Sequence, residues 1–308
     1  MLPLPLKLLW HVFGAHRGRF SFQHPLGIFV HLTYRCNFAC EYCDSGRGQH
    51  DHQQASSELT ITEWDKALNN LARYADILFV SGGEPTLYHD LPGFLVRARN
   101  NGFRFITLNT NAFELSPTLF DLADVFIVSL DSMRENCVEK LCGSPGVGAF
   151  LRVKHNLDVL SQLHKPVVIN AAIHPETLDE AEDVFAYCRE KGFTYSPSPI
   201  LVGNEIMPEL KADPRFRAFF QKLAIAKRHG ARISGSYHWL RMLPTFPSFA
   251  CHSLLVWHLN PSGQLLFPCN RFGGPLPGSV SEQDPLQTFF DCNQSWMFSP
   301  DCKFSVVY

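Results

Sequence analysis

The 308-residue chain carries 27 Lys and Arg against 29 Asp and Glu, for a formal charge of −2, with 45% hydrophobic and 18% charged residues. A chain of that length and composition buries a sizeable core, which excludes a largely disordered protein, and its charge balance offers no basic footprint for nucleic acid. Ten cysteines without a cleavable signal sequence predict a reducing, cytoplasmic setting, and no apolar run reaches the roughly 18 residues that a spanning helix needs.

The first segment, 1–25, intersperses Leu4, Leu6, Leu8, Leu9, Trp10, Val12 and Phe13 with Lys7 and His11, and His16, Arg17 and Arg19 trail behind. Two readings stay open for it: an interfacial helix making weak, peripheral membrane-surface contact, and a helix packed on the protein's own core. From Leu26 the pattern turns to alternating strands and helices. Strands are predicted at Gly27–Tyr34, Ile77–Ser81, Phe103–Asn109, Val125–Leu130 and Pro166–Ile173, and a sixth begins at Phe193–Ser196. Helices are predicted at Thr62–Arg73, with Thr60 or Thr62 as N-cap, and at Leu91–Asn100, Ser116–Leu122, Gly146–Leu163 and Asp179–Lys191, the last closed by Gly192. Such alternation with short connections predicts an α/β fold around a parallel sheet.

Just after the first strand, Cys36, Cys40 and Cys43 stand at C-x3-C-x2-C spacing. Three thiolates hold three corners of a four-iron cluster and leave the fourth iron open, which is the mark of a catalytic rather than a structural metal position. The competing reading is a zinc knot, whose fourth ligand would have to be His50 or His52. After the second strand comes Gly82-Gly83-Glu84-Pro85.

The cysteine spacing, with the aromatic Tyr42 before the third cysteine, resembles the signature of the radical S-adenosylmethionine (radical SAM) superfamily, and Gly82 to Pro85 is similar to its GGEP motif. The resemblance implies a partial (β/α)6 TIM-type barrel over 26–199 and a 4Fe-4S cluster on Cys36, Cys40 and Cys43, with SAM at the open iron beside Gly82, Gly83, Glu84 and Pro85. It also implies reductive cleavage of SAM to a 5′-deoxyadenosyl radical, fed by an electron donor such as flavodoxin or ferredoxin. Thr110-Asn111-Ala112 stands in the place of the family's T-N-G turn, and Ser129-Leu130-Asp131 resembles its S-x-D. On that basis Asn111, Ser129 and Asp131 are SAM contacts, or else caps of the helices that follow. Ala112 and Ser132 replace usual glycines, where a positive φ tolerates a side chain poorly. Leu141-Cys142-Gly143 stands where many members have Leu-Arg-Gly, so a cation is missing. No catalytic side chain emerges.

Beyond Pro199 the alternation stops, and Pro208, Pro214, Pro244 and Pro247 punctuate a small α+β extension, 200–308, with one predicted helix at Arg215–Arg228. Leu254–Leu259 and Gln264–Phe267 read as a β-hairpin flanked by Cys251 and Cys269. With Cys292 and Cys302 these resemble the SPASM and Twitch extensions, which implies a second 4Fe-4S cluster; the alternative is four incidental thiols. Since no peptide-clasping domain is evident before Leu26, the expected substrate is a small molecule, lipid or nucleoside. Peptide maturation is the rival enzyme reading. A non-catalytic iron–sulfur or zinc scaffold is the rival from another class.

Overall fold

The computed structural model describes residues 25–40, 42–43, 58–143, 148–202, 205–246, 249–250, 256–267, 274–276, 278–285 and 303–304. The apolar segment before residue 25 lies outside them, as do Cys251, Cys269, Cys292 and Cys302.

Six strands appear where the alternation predicts them: β1 (Gly27–His31), β2 (Ile77–Ser81), β3 (Phe105–Thr110), β4 (Val125–Ser129), β5 (Val167–Ile173) and β6 (Thr194–Pro199). Each pairs with the next in parallel. The helices between them are α1 (Ile61–Leu71), α2 (Leu91–Asn100), α3 (Glu135–Cys142), α4 (Ala149–Gln162) and α5 (Ala181–Lys191). Thr60 caps α1 in a reciprocal box, its backbone N–H donating to Glu63 at 2.7 Å while its hydroxyl accepts from the Glu63 N–H. Such a box satisfies two amides that a helix start otherwise leaves without partners. Gly192 ends α5 with φ 72°, the left-handed position that glycine fills without a Cβ penalty.

Two stretches differ from expectation. Ser116–Leu122 forms only a 3-10 turn at Pro117–Leu119: Ser116 caps it at one end, and the Asp124 amide is already committed to Ile106 of the sheet, leaving no room for further turns. In the other direction, α3 forms where no helix was predicted; it is short and closes on Gly143 at φ 50°.

Beyond β6 lie a small antiparallel pair, β7 (Leu201–Val202) with β8 (Glu205–Ile206), and the helices α6 (Pro208–Ala212), α7 (Pro214–Arg228) and α8 (Tyr237–Met242). The two residues of β9 (Phe249–Ala250) pair with β13 (Lys303–Phe304). The predicted hairpin is present as β10 (Val256–Leu259) and β11 (Leu265–Phe267), followed by β12 (Gly274–Pro275). It does not stand apart from the core, because β10 lies parallel to β1 with Phe29 opposite His258. Among the described residues the sheet order is β12-β11-β10-β1-β2-β3-β4-β5-β6, with β6 not paired back onto β12 and only an isolated bridge from Tyr195 to Ile233 beyond it, so the barrel is open.

Period-two alternation gives the sheet two different faces. One carries Ile28 and Val30, Leu78 and Val80, Ile106 and Leu108, Phe126 and Val128, and Ile169, all fully buried in one core with helix residues such as Trp64, Phe94 and Leu157. The opposite, inner face carries Phe29, Phe79, Thr107, Asn109, Ser129 and Asn170. Among the described residues no helix is long and apolar enough to cross a membrane.

Candidate metal centre

The three cysteines sit on the loop that leaves β1, and the end of β2 grips the root of that loop. The Leu32 amide donates to Ser81, and the Gly83 and Glu84 amides donate to the carbonyls of Thr33 and Arg35 at 2.7 and 2.8 Å. Gly82 has φ 144°, and a Cβ there would collide with the Thr33 carbonyl; one on Gly83 would collide with that of Arg35. Only glycine permits so close an approach of two backbones. The Gly-Gly pair thus fixes where the cysteine loop begins.

Glu84 is 1% exposed, yet its carboxylate accepts four hydrogen bonds. They come from the Thr86 amide at 3.1 Å, the Thr86 and Thr110 hydroxyls at 2.8 and 2.7 Å, and the Asn111 amide at 2.7 Å. Burial pushes its pKa up while those donors pull it down. A buried carboxylate so surrounded is a bracket between the ends of β2 and β3. Next to it, Asn111 donates from Nδ2 to Asn37 on the cysteine loop at 2.7 Å. Ala112 takes φ 56° while fully buried, the strained conformation that its replacement of glycine foretold. Ser132 is not among the positive-φ residues; its hydroxyl instead accepts from the Arg134 amide at 2.9 Å.

A third hold comes from β4. Asp131, 6% exposed, accepts from the Tyr42 hydroxyl through one oxygen and from the Ala172 amide through the other, the latter at 2.7 Å. Burial pushes its pKa up to about 6, against the pull of those two donors. Tyr42 adjoins Cys43, so the last ligand position is tied through Asp131 to both β4 and β5. On the outer side, Glu58 receives the Thr33 hydroxyl and the Arg35 guanidinium, the latter at 3.1 Å from two nitrogens. Asn37 and Glu58 escaped the sequence reading because single polar residues in loops carry no spacing signal. Ser129 is exposed on the inner face, in register with Asn170 of β5.

The thiols of Cys36, Cys40 and Cys43 are half-buried. Burial pushes the Cys36 thiol up to about 12, partly offset by the Phe38 amide that its sulfur accepts at 3.4 Å; Glu84, Cys40 and Cys43 raise it further. Three soft donors that oppose one another's ionisation fit a shared cationic centre, which removes that penalty and binds the thiolates. Among the described residues, no three Cys, His, Asp or Glu side chains form a single-ion site.

The family model described as the Radical SAM superfamily matches residues 30–188, just over half of the chain. A PqqA peptide cyclase of Rhodopseudomonas palustris is 30% identical over 173 residues, which is 53% of this chain and 44% of that protein. A probable GTP 3′,8-cyclase of Methanococcus aeolicus is 28% identical over 172 residues, 53% of this chain and 55% of that protein. The chain therefore spans about half the length of the curated relatives it matches. Among solved structures, Streptococcus suis SuiB bound to S-adenosylmethionine aligns with a TM-score of 0.67 at 16% identity, over 88% of this chain and 67% of that one. At that identity the likeness is one of fold.

Proposed function

We propose, since this chain belongs to the radical SAM superfamily, that Cys36, Cys40 and Cys43 hold one 4Fe-4S cluster and that SAM binds over it at the strand ends. When bound, the pair supplies an electron and a 5′-deoxyadenosyl radical able to take one hydrogen atom from a substrate. The chain is an enzyme of this superfamily, and its own residues do the positioning. The observation that carries the reading is the convergence of three strand ends on the cysteine loop: Gly83 and Glu84 through backbone, Asn111 through Asn37, Asp131 through Tyr42. Most of the motif residues matched to SAM contacts thus serve first to hold the ligand loop rigid. Preorganisation of this kind fixes the reacting geometry before the substrate arrives.

Gly82, Gly83, Pro85 and Ser129 remain the proposed SAM-facing positions, with Ser129 exposed on the inner face at the end of β4. For the substrate, the peptide reading gains support over the small-molecule or lipid one from peptide-cyclase relatives at 28 and 30% identity. A second 4Fe-4S cluster on Cys251, Cys269, Cys292 and Cys302 is supported by the antiparallel β10–β11 hairpin, which Cys251 precedes and Cys269 follows in sequence. The test is anaerobic reconstitution with iron and sulfide, then reduction with SAM present. The expected product is 5′-deoxyadenosine, lost when Cys36, Cys40 and Cys43 are all replaced by Ala. Retention of product in the triple variant overturns the assignment.

A further inference from the structure

The helices beyond β6 differ from the rest of the chain in charge. Residues 214–246 hold seven of the 27 Lys and Arg and none of the 29 Asp and Glu, so a formal +7 there is set against −9 on the remainder. Four of the seven are committed to nearby acceptors. Arg215 pairs with Asp213 and with Asp179, both at 2.6 Å, and Lys222 pairs with Glu182 of α5. Lys227 and Arg232 donate to the carbonyls of Ile233 and Gly192. The other three, Arg217, Arg228 and Arg241, pair with no carboxylate among the described residues, and each lies over an aromatic ring instead.

Arg217 lies 5.7 Å from the centroid of the Phe246 ring, and Arg228 and Arg241 lie 5.5 and 5.7 Å from that of Tyr237. Arg217 and Arg228 stand about three turns apart on α7, so they emerge along one edge of it, about 16 Å from each other. That is the edge beside α8, which carries Tyr237 and Arg241. All three arginines are exposed. One turn before Arg228, Ile225 is 59% exposed, while Phe216, Phe219, Phe220 and Leu223 are buried on the opposite side of the same helix. A ring contact limits where a guanidinium can go yet leaves its N–H edge free, so less rotamer freedom is lost when an anion binds. The seam between the two helices is therefore a stripe of oriented donors with one apolar side chain at its margin.

We propose that the α7–α8 seam is a docking surface whose occupant is an acidic segment of a partner protein, laid along α7 with its carboxylates on Arg217, Arg228 and Arg241 and an apolar side chain on Ile225. A span of about 16 Å matches about five residues of extended peptide. The guanidinium fork pairs a carboxylate through two N–H bonds at once, which a lone ammonium cannot do. The charge distribution decides against a longer polyanion. At physiological salt the patch is screened beyond about 8 Å, so a nucleic acid or an anionic membrane, which reaches past it, meets the −9 carried by the rest of the chain. A short acidic segment meets only the patch. Docking here requires neither the cluster nor SAM.

The test is fluorescence anisotropy of the 308-residue chain with a labelled, capped Glu-Glu-Leu-Glu-Glu peptide at physiological salt. The expected result is binding that weakens about tenfold when Arg228→Gln and Arg241→Gln are combined. Ile225→Glu, at an exposed position that no core side chain depends on, abolishes it by removing the apolar contact and adding repulsion; this variant decides the matter if the arginine variants lose their fold. Absence of binding to wild type, or binding that Ile225→Glu leaves unchanged, overturns the site. So does an equal loss in Arg104→Gln, an exposed cation beside β3, because the attraction is then one of net charge alone. The same chain is titrated with a single-stranded oligonucleotide and with vesicles of phosphatidylserine and phosphatidylcholine. Tighter binding to either than to the peptide, lost in the double arginine variant, overturns the class of partner.

Discussion

The two faces of the central sheet are built from the same strands and obey opposite rules. On the helix side, Ile28, Val30, Leu78, Val80, Ile106, Leu108, Phe126 and Val128 are apolar and closed to solvent. On the inner side, Thr107, Asn109 and His258 leave polar atoms without partners, and Ser129 stands exposed. The strand ends combine the two, since Glu84 and Asp131 are as buried as the core yet fully engaged by hydrogen bonds to the cysteine loop or its neighbours. The contrast teaches where the packing goes: the apolar helix side closes the core, and the buried carboxylates at the strand ends direct their hydrogen bonds to the cysteine loop and its neighbours.

The contrast is broken most forcefully from the helix side. Phe126 is fully buried with its ring 6.2 Å from that of Phe120, so Phe126→Ala should cost about 3–5 kcal/mol in chemical denaturation. A cost below about 1 kcal/mol would mean that this face is not the stabilising one. The inner face gives a smaller effect with a pH signature. Since burial lowers the His258 pKa to about 4 from an ordinary 6.5, the unfolded chain takes up a proton between those values and the folded chain does not. Stability is therefore full above pH 6.5 and falls as the pH drops toward 4, by about 3 kcal/mol from this group alone. Denaturant titrations at pH 7 and 4.5 should show wild type losing more stability than His258→Leu; equal losses would place the imidazole in contact with water.

The smallest effect sharpens the comparison at the strand ends. Ala112 and Ala98 are both fully buried, but Ala112 sits at φ 56° and Ala98 inside α2. Replacing Ala98 with Gly carries the usual helix cost, whereas at Ala112 relief of the left-handed strain offsets the lost methyl. Thermal or denaturant unfolding should show Ala112→Gly as the milder change by about 1–2 kcal/mol. Equal costs would mean that Ala112 is unstrained.

Much of this was legible in the sequence because its signals are local. Alternation and spacing placed the six strands and the cysteine loop, and the glycine missing at 112 marked a strained residue. What escaped depends on contacts between distant segments. Nothing in Val256–Leu259 says that it will lie beside β1, and that pairing alone carries His258 onto the inner face. Glu84 reads as a SAM-side carboxylate in the motif, whereas its partners Thr110 and Asn111 arrive from another strand. Ser116–Leu122 has helical composition, but it forms a single 3-10 turn before the Asp124 amide joins the sheet at Ile106.

The central claim is that three strand ends hold Cys36, Cys40 and Cys43 as a cluster site with one iron open to SAM. Electron paramagnetic resonance of the reduced, reconstituted protein tests it most directly. The account predicts a 4Fe-4S signal that changes on addition of SAM, and in the Cys36→Ala, Cys40→Ala, Cys43→Ala triple variant it predicts loss of that SAM-responsive signal, leaving only the signal of the second cluster. A signal indifferent to SAM, or one that persists unchanged with all three cysteines replaced, would contradict it.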